Sequence, residues 1–160
     1  MNVFSESSPS YDAGTFRDAY VLLGGRSVLR HPPRSRLDAH DAVAEGLPRD
    51  ALIHLVGQLS VIGWGTALEN AIGISQRTFQ RIKAAPAERL SPEQSGKTWK
   101  FAEVLSRAAE VFGSQQEAEA WLERPALGLD GRRPIDLLAT PAGTEAVEAF
   151  LQQIDYGVYV

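Results

Sequence analysis

The sequence has no cysteine in its 160 residues. Disulfides and cysteine-held zinc or iron–sulfur sites are therefore excluded, and a reducing compartment fits. No apolar run approaches the roughly 20 residues that a bilayer-spanning helix needs. The first residues, Met-Asn-Val-Phe-Ser-Glu-Ser-Ser, lack the basic start and apolar stretch of a signal peptide. A soluble, cytoplasmic protein is expected, with no membrane contact. Histidine is scarce too, with only His31, His40 and His54. His40 and Asp41 are adjacent, and sequence neighbours seldom face each other on a helix. His54 falls beside an apolar stripe, where a histidine usually serves structure. No His-x-x-x-His pair, glycine-rich phosphate loop or nucleophile elbow occurs. Without such a constellation the chain is not expected to be an enzyme, to hold a metal or to need a cofactor.

What is present is enough apolar material for a core. Apolar residues make up 44% of the chain, too many for wholesale disorder. The length suits one domain or two small ones. Residues 1–13 are Ser-rich and read as a mobile tail. After Thr15, a possible cap, Phe16, Ala19, Tyr20 and Leu23 recur at helical spacing until Gly24-Gly25 stops them. His31-Pro32-Pro33 breaks the chain, and residues 36–45 suggest a short helix. From Pro48 a stripe of Leu52, Leu55, Val56 and Leu59 predicts another. Ser60–Gly65 is a break, and Trp64 within it reads as core. Ser91-Pro92-Glu93-Gln94 combines an N-cap, a first-turn proline and the return residue of a capping box. It opens a long helix through Phe101, Val104, Leu105, Ala108 and Phe112, closed by Gly113. Ser114–Glu117 is a second capping-box pattern, leading to Ala118, Trp121 and Leu122 before Pro125. A turn-rich loop, Ala126–Pro134, precedes a short helix at Ile135–Leu138. Thr140-Pro141 starts a last helix with Val147, Phe150, Leu151 and Ile154 on one face, and Asp155–Val160 has strand-like residues. The fold class expected is all-α.

One stretch carries more than packing. Residues 67–83 place a short apolar helix ending at Gly73 before a second one that starts at Ser75. Two helices joined by a three- or four-residue turn containing Gly form the helix-turn-helix pattern. On the second helix Phe79 and Ile82 share one face, and polar and basic side chains cover the rest. Arg and Gln can read base edges in two-pronged fashion, and Lys and Ser can hold phosphates. The candidate DNA contacts are Ser75, Gln76, Arg77, Thr78, Gln80, Arg81 and Lys83. An ordinary αα-hairpin with a solvated face shares the pattern. The net charge of −4 speaks against nucleic acid, but its distribution does not. Residues 1–75 sum to −2, residues 76–100 hold six Lys or Arg against two Glu, and residues 101–160 hold four Arg against ten acids. Positive charge thus gathers on and just after the second helix, where phosphate neutralisation needs it. The acidic C-terminal part suits a protein partner.

The C-terminal residues carry a resemblance. Trp121-Leu122, Pro125, Leu127, Gly128-Leu-Asp-Gly-Arg-Arg-Pro134, Leu137-Leu-Ala-Thr140, Gly143, Val147 and Ile154-Asp-Tyr-Gly-Val-Tyr159 resemble the toxin-binding domain of Xre/ParS-type antitoxins. Gly73-Ile-Ser75, Arg77-Thr78 and Leu90–Ser95 resemble the helix-turn-helix of the same family and its exit. The resemblance covers about residues 47–160 and implies a helix-turn-helix DNA-binding domain at 47–112 followed by a helical toxin-binding domain at 113–160. Residues 1–46 are left as a tail and short helices. It further implies an antitoxin that binds and neutralises a RES-domain toxin, itself an NAD-depleting protein, and that represses its own promoter. The toxin-contacting residues it implies are Asp130, Gly131, Arg132, Arg133, Tyr156, Tyr159 and Val160. For some of these a packing role competes: Arg133 can pair with Asp136, and Tyr156 and Tyr159 can close the core. Helix-turn-helix proteins usually bind as dimers, so a homodimer is expected, through the long helix or the C-terminal helices. A helix-turn-helix repressor without a toxin is the alternative function.

Overall fold

The strongest start signal in the sequence opens the helix on which the others are laid. In the computed structural model, which describes residues 9–157, Ser91 Oγ accepts from the Gln94 amide at 3.0 Å and the Gln94 side chain accepts from the Ser91 amide at 3.1 Å. This closed capping box satisfies two groups that a bare helix end leaves unpaired. Nine α-helices form among the described residues. They are α1 (Pro9–Leu22), α2 (Arg36–Glu45), α3 (Arg49–Gln58), α4 (Thr66–Ile72), α5 (Gln76–Ala84), α6 (Pro92–Phe112), α7 (Gln115–Leu122), α8 (Pro134–Leu137) and α9 (Pro141–Asp155). Single 3-10 turns lie at Gly25–Ser27 and Leu127–Leu129. There is no sheet among the described residues, only isolated bridges at Pro48–Arg89 and Ala126–Arg132. The all-α expectation holds.

Helix α6 is the central strut. It buries Phe101, Ala102, Val104, Leu105 and Ala108, and α1, α2, α4, α7 and α9 all pack against it. Each fully buried Leu or Phe contributes about 1.5–3 kcal/mol relative to exposure. A polar stitch fixes its start: the buried Ser95 hydroxyl accepts from the Leu47 amide at 2.8 Å, and the Leu90 amide donates to the Leu47 carbonyl at 2.8 Å. The entries to α3 and α6 are thereby tied together.

Two segments differ from the sequence expectation. Helix α1 begins at Pro9, not after Thr15, so the tail reading fails for residues 9–13; residues 1–8 lie outside those described. Proline is favoured in a first helical turn, and Phe16, Ala19 and Leu23 anchor the helix on the core, with Phe16 6.2 Å from Trp99. Thr15 is then inside the helix and buried rather than capping it. At the other end α9 runs through Asp155, so Asp155–Gly157 is a helix end and not a strand. The Arg107 side chain holds that end, its Nη2 3.2 Å from Asp155 Oδ2. Residues 158–160 lie outside the described part. At Ser114 only the forward half of the expected box is made, from the Glu117 amide at 3.1 Å.

The link least visible in the sequence is Glu119 on α7, whose carboxylate is fully buried. It accepts from the backbone amides of Ser60, Val61 and Ile62 at 2.9–3.0 Å and from the Gln115 side chain at 3.0 Å. These amides belong to the break between α3 and α4, which has no helix or strand to satisfy them. Removing the acceptor strands three backbone donors at once, that of Ile62 inside the core. We expect Glu119→Ala to lower unfolding free energy by about 3 kcal/mol and Glu119→Gln, which keeps one acceptor oxygen, by less. Urea unfolding followed by circular dichroism measures both; equal stability of Glu119→Ala and wild type removes this linchpin role.

Candidate nucleic-acid and protein interfaces

Helix α4 ends where Gly73 takes a left-handed conformation, φ 71°, with its amide donating to the Glu69 carbonyl at 2.8 Å. Glycine adopts that region without the strain a side chain brings. Ile74 is buried, and Ser75 then caps α5, its hydroxyl accepting from the Thr78 amide at 3.1 Å and donating to Thr78 Oγ1 at 3.0 Å. The Glu69 carboxylate reaches across the turn and accepts from the Gln76 amide at 2.8 Å. Of these bonds, the one from Glu69 to the Gln76 amide ties α4 directly to α5.

Behind α5, Phe79 and Ile82 are buried, and Trp64 stacks on Phe79 with ring centroids 4.7 Å apart. Trp64 is packing, as its sequence context suggested. In front, Ser75, Gln76, Arg77, Gln80, Arg81 and Lys83 are all exposed, and Thr78 is half-buried. The structure therefore brings the whole candidate set onto one helix and its cap. Lys83 Nζ lies 5.7 Å from the Phe79 ring centroid. Among the described residues no carboxylate pairs with Arg77, Arg81 or Lys83. The Lys97 side chain lies over Gly73, where an added Cβ would meet its Cδ at 2.7 Å. Lys100 behaves differently. It bridges Glu103 at 2.8 Å and Glu148 at 3.2 Å. Burial alone lowers an ammonium pKa, but these two carboxylates more than reverse it and raise that of Lys100. Its charge is spent within the protein.

The C-terminal loop is built for rigidity. The Ala126 amide donates to the Arg132 carbonyl at 3.0 Å, and the Gly131 amide to the Ala126 carbonyl at 2.9 Å. Asp130 and Gly131 are both left-handed, φ 55° and 72°. Gly128 sits so close to Phe150 of α9 that a Cβ would lie 2.2 Å from the ring. Leu129 points inward and is buried, whereas Leu127 is 96% exposed. Asp130, Gly131 and Arg132 are exposed. Arg133 makes a two-pronged pair with Asp136, both contacts 2.9 Å, which raises its pKa. The packing alternative thus holds for Arg133. It does not hold for Tyr156, which is 73% exposed at the end of α9. Tyr159 and Val160 lie outside the described residues. Nearby, burial raises the Glu110 carboxyl above its ordinary value, Arg107 opposing and Asp18 and Asp155 reinforcing.

The two surfaces share a wall, since α4 of the helix-turn-helix packs on α8, which follows the C-terminal loop. His54 is half-buried with Nδ1 2.9 Å from the Leu22 carbonyl, a structural contact. Comparison with known proteins then decides the family. Residues 38–103 match the antitoxin Xre-like helix-turn-helix domain, and residues 107–157 match the antitoxin Xre/MbcA/ParS C-terminal toxin-binding domain. The chain belongs to the Xre antitoxin family. An "Antitoxin Xre" of Yersinia enterocolitica is 31% identical over 90 residues, 56% of this chain and 60% of that protein. An "Antitoxin Xre" of Pseudomonas putida is 28% identical over 123 residues, 77% of this chain and 74% of that one. The chain spans less than two thirds of the Yersinia relative. Among the described residues of this Xre-family chain, no helix is long and apolar enough to cross a membrane.

Sequence reasoning missed Glu69, Lys97 and Leu127. Glu69 lies seven residues before the amide it binds, inside the α4 run. Leu127 and Leu129 are near neighbours in the loop, and the 3-10 turn sends the two in opposite directions. Gly73→Ala combines a strained φ with the collision against Lys97. We expect it to cost roughly 1–2 kcal/mol of stability, measured by thermal unfolding; no loss would show that the turn relaxes freely.

Proposed function

We propose that this chain is the antitoxin of a type II toxin–antitoxin pair. It binds and neutralises a cognate RES-type, NAD-degrading toxin through residues 113–160 and represses its own promoter through α5 within residues 47–112, acting as a homodimer on double-stranded DNA. One observation carries the reading: two domains of the Xre antitoxin family follow each other along one chain. The RES identity of the toxin is supported by the family resemblance of the C-terminal residues. The DNA role is supported by a capped helix whose exposed arginines have no acidic partner among the described residues.

On this reading Ser75, Gln76, Arg77, Thr78, Gln80, Arg81 and Lys83 contact DNA. Asp130, Gly131, Arg132, Arg133, Tyr156, Tyr159 and Val160 contact the toxin, and we add Leu127. A leucine held out on an over-determined turn has little entropy left to lose on binding, which suits an interface anchor. Arg133 contributes either through its free edge or by exchanging Asp136 for a toxin acidic group.

The pair is tested by co-expressing this chain with the adjacent reading frame. The expected outcome is copurification and preserved cellular NAD⁺; no complex and no neighbouring toxin frame leaves a repressor without a toxin. Arg77→Ala with Arg81→Ala is expected to weaken promoter binding at least tenfold in a gel shift, as loss of base and phosphate contacts costs about 1–3 kcal/mol each. Unchanged affinity removes α5 from the groove. Leu127→Asp is expected to lower toxin affinity at least tenfold, about 1.4 kcal/mol, with promoter binding and melting temperature unaltered. A chain ending at Asp155 keeps the Arg107 ion pair but is expected to lose protection of NAD⁺; full protection clears the tail.

A further inference from the structure

The segment Gly24–Arg36, which joins α1 to α2 and precedes both matched regions, holds Arg26, Arg30, Arg34, Arg36 and His31 and no acid. It is the densest run of positive charge in the chain, and the α5 reading does not use it. It is also firmly seated. The Tyr20 hydroxyl donates to the Leu29 carbonyl at 3.2 Å, Leu29 and Pro33 are buried, and the Ser35 hydroxyl caps α2 by accepting from the Asp38 amide at 3.1 Å. These anchors leave Arg26, Arg30, His31 and Arg34 exposed. The segment faces Gly46–Pro48 and Arg89 across an open cleft of about 710 Å³. Arg89 lies on the chain leaving α5, six residues beyond Lys83, and bridges to Pro48. Arg89 thus places a further guanidinium on the rim of the cleft that Arg30 and Arg34 line, its Nη1 donating to the Gly46 carbonyl at 2.6 Å. Asp38, Asp41 and Glu45 of α2 line the same cleft. They repel an anion from its interior, and the Asp38 carboxylate already accepts from the Arg34 amide at 3.0 Å. Among the described residues no ion pair joins them to Arg30 or Arg34.

We propose that Arg30 and Arg34 form a second phosphate-binding strip, which holds the backbone of duplex DNA beside the stretch read by α5. The inference rests on the DNA-binding reading of α5 and extends it to a part of the chain that neither family model covers. Contacts of this kind add affinity and register without choosing a sequence. The DNA held is then longer than the segment under the helix-turn-helix alone.

The test needs no knowledge of the operator. The full-length protein is titrated with a random-sequence duplex of 40 base pairs at several salt concentrations. Each neutralised phosphate contributes about −0.9 to the slope of log affinity against log salt. Arg30→Gln with Arg34→Gln is expected to make the slope shallower by about 1.8, and Arg30→Lys with Arg34→Lys to restore it, because a phosphate asks for charge rather than for a fork. Arg17→Gln with Arg124→Gln removes equal charge from other surfaces and is expected to leave the slope unchanged. A wild-type slope in the loop Gln pair, no recovery in the Lys pair, or the same loss in the control pair each overturns the proposal. Wild-type protein that binds no duplex at low salt overturns the α5 reading with it, whereas wild-type binding with an insensitive loop overturns the loop alone.

Discussion

Everything around the helix-turn-helix depends on one buried carboxylate. Burying Glu119 without partners would cost several kcal/mol. Leaving the amides of Ser60, Val61 and Ile62 without an acceptor would also be costly, because that break has no regular structure to serve them. Each problem is the solution of the other. The break then has one conformation, Ile62 enters the core, and Trp64 is delivered to the back of Phe79. Since Glu119 stands on α7, a residue of the toxin-binding match supports the rear of the recognition helix.

The same economy governs the turn between α4 and α5. Glu69 places its carboxylate at the start of α5, where the helix dipole favours negative charge. That position is also where an incoming phosphate would settle. The protein therefore occupies the amide end of α5 with its own acid, and the exposed Arg77, Gln80 and Arg81 stand further along the helix. With the Gln76 and Thr78 amides already engaged, the orientation of α5 is fixed by the protein itself.

Most of the fold could be read from the sequence because its signals are local. Gly73 and Gly113 stop helices by conformation, Ser75 and Ser91 start them by hydrogen bonds three residues ahead, and the apolar stripes follow helical period. What could not be read depended on partners distant in the chain. Glu119 looked like one of ten C-terminal acids, since the amides it binds lie 57–59 residues away. The exposure of Leu127 could not be read because the turn that expels it is set by Gly128 meeting Phe150. The start of α1 was missed because its polar first turn carries no apolar stripe, and the anchors come only later, at Phe16 and Ala19.

The charge pattern shows the same division between local and distant. Along the chain, residues 76–100 look basic and residues 101–160 acidic. In space much of that contrast is cancelled. Lys100 is drawn between Glu103 and Glu148, Arg107 serves Asp155, and Arg133 serves Asp136. Glu119 is not on the surface at all. What a partner meets is the remainder after internal pairing. On α5 that remainder is nearly the whole set, because among the described residues no acid answers Arg77, Arg81 or Lys83. On the C-terminal side Lys100, Arg107 and Arg133 answer five acids between them, and Glu117, Asp130 and Glu145 stay exposed, so the balance stays acidic. What stands out there is a rigid loop with an exposed Leu127 and Arg132, and an exposed Tyr156 at the end of α9. The two faces therefore differ in kind as well as in sign: one presents uncompensated charge to a polyanion, and the other presents fixed shape and apolar surface, the features that protein interfaces reward.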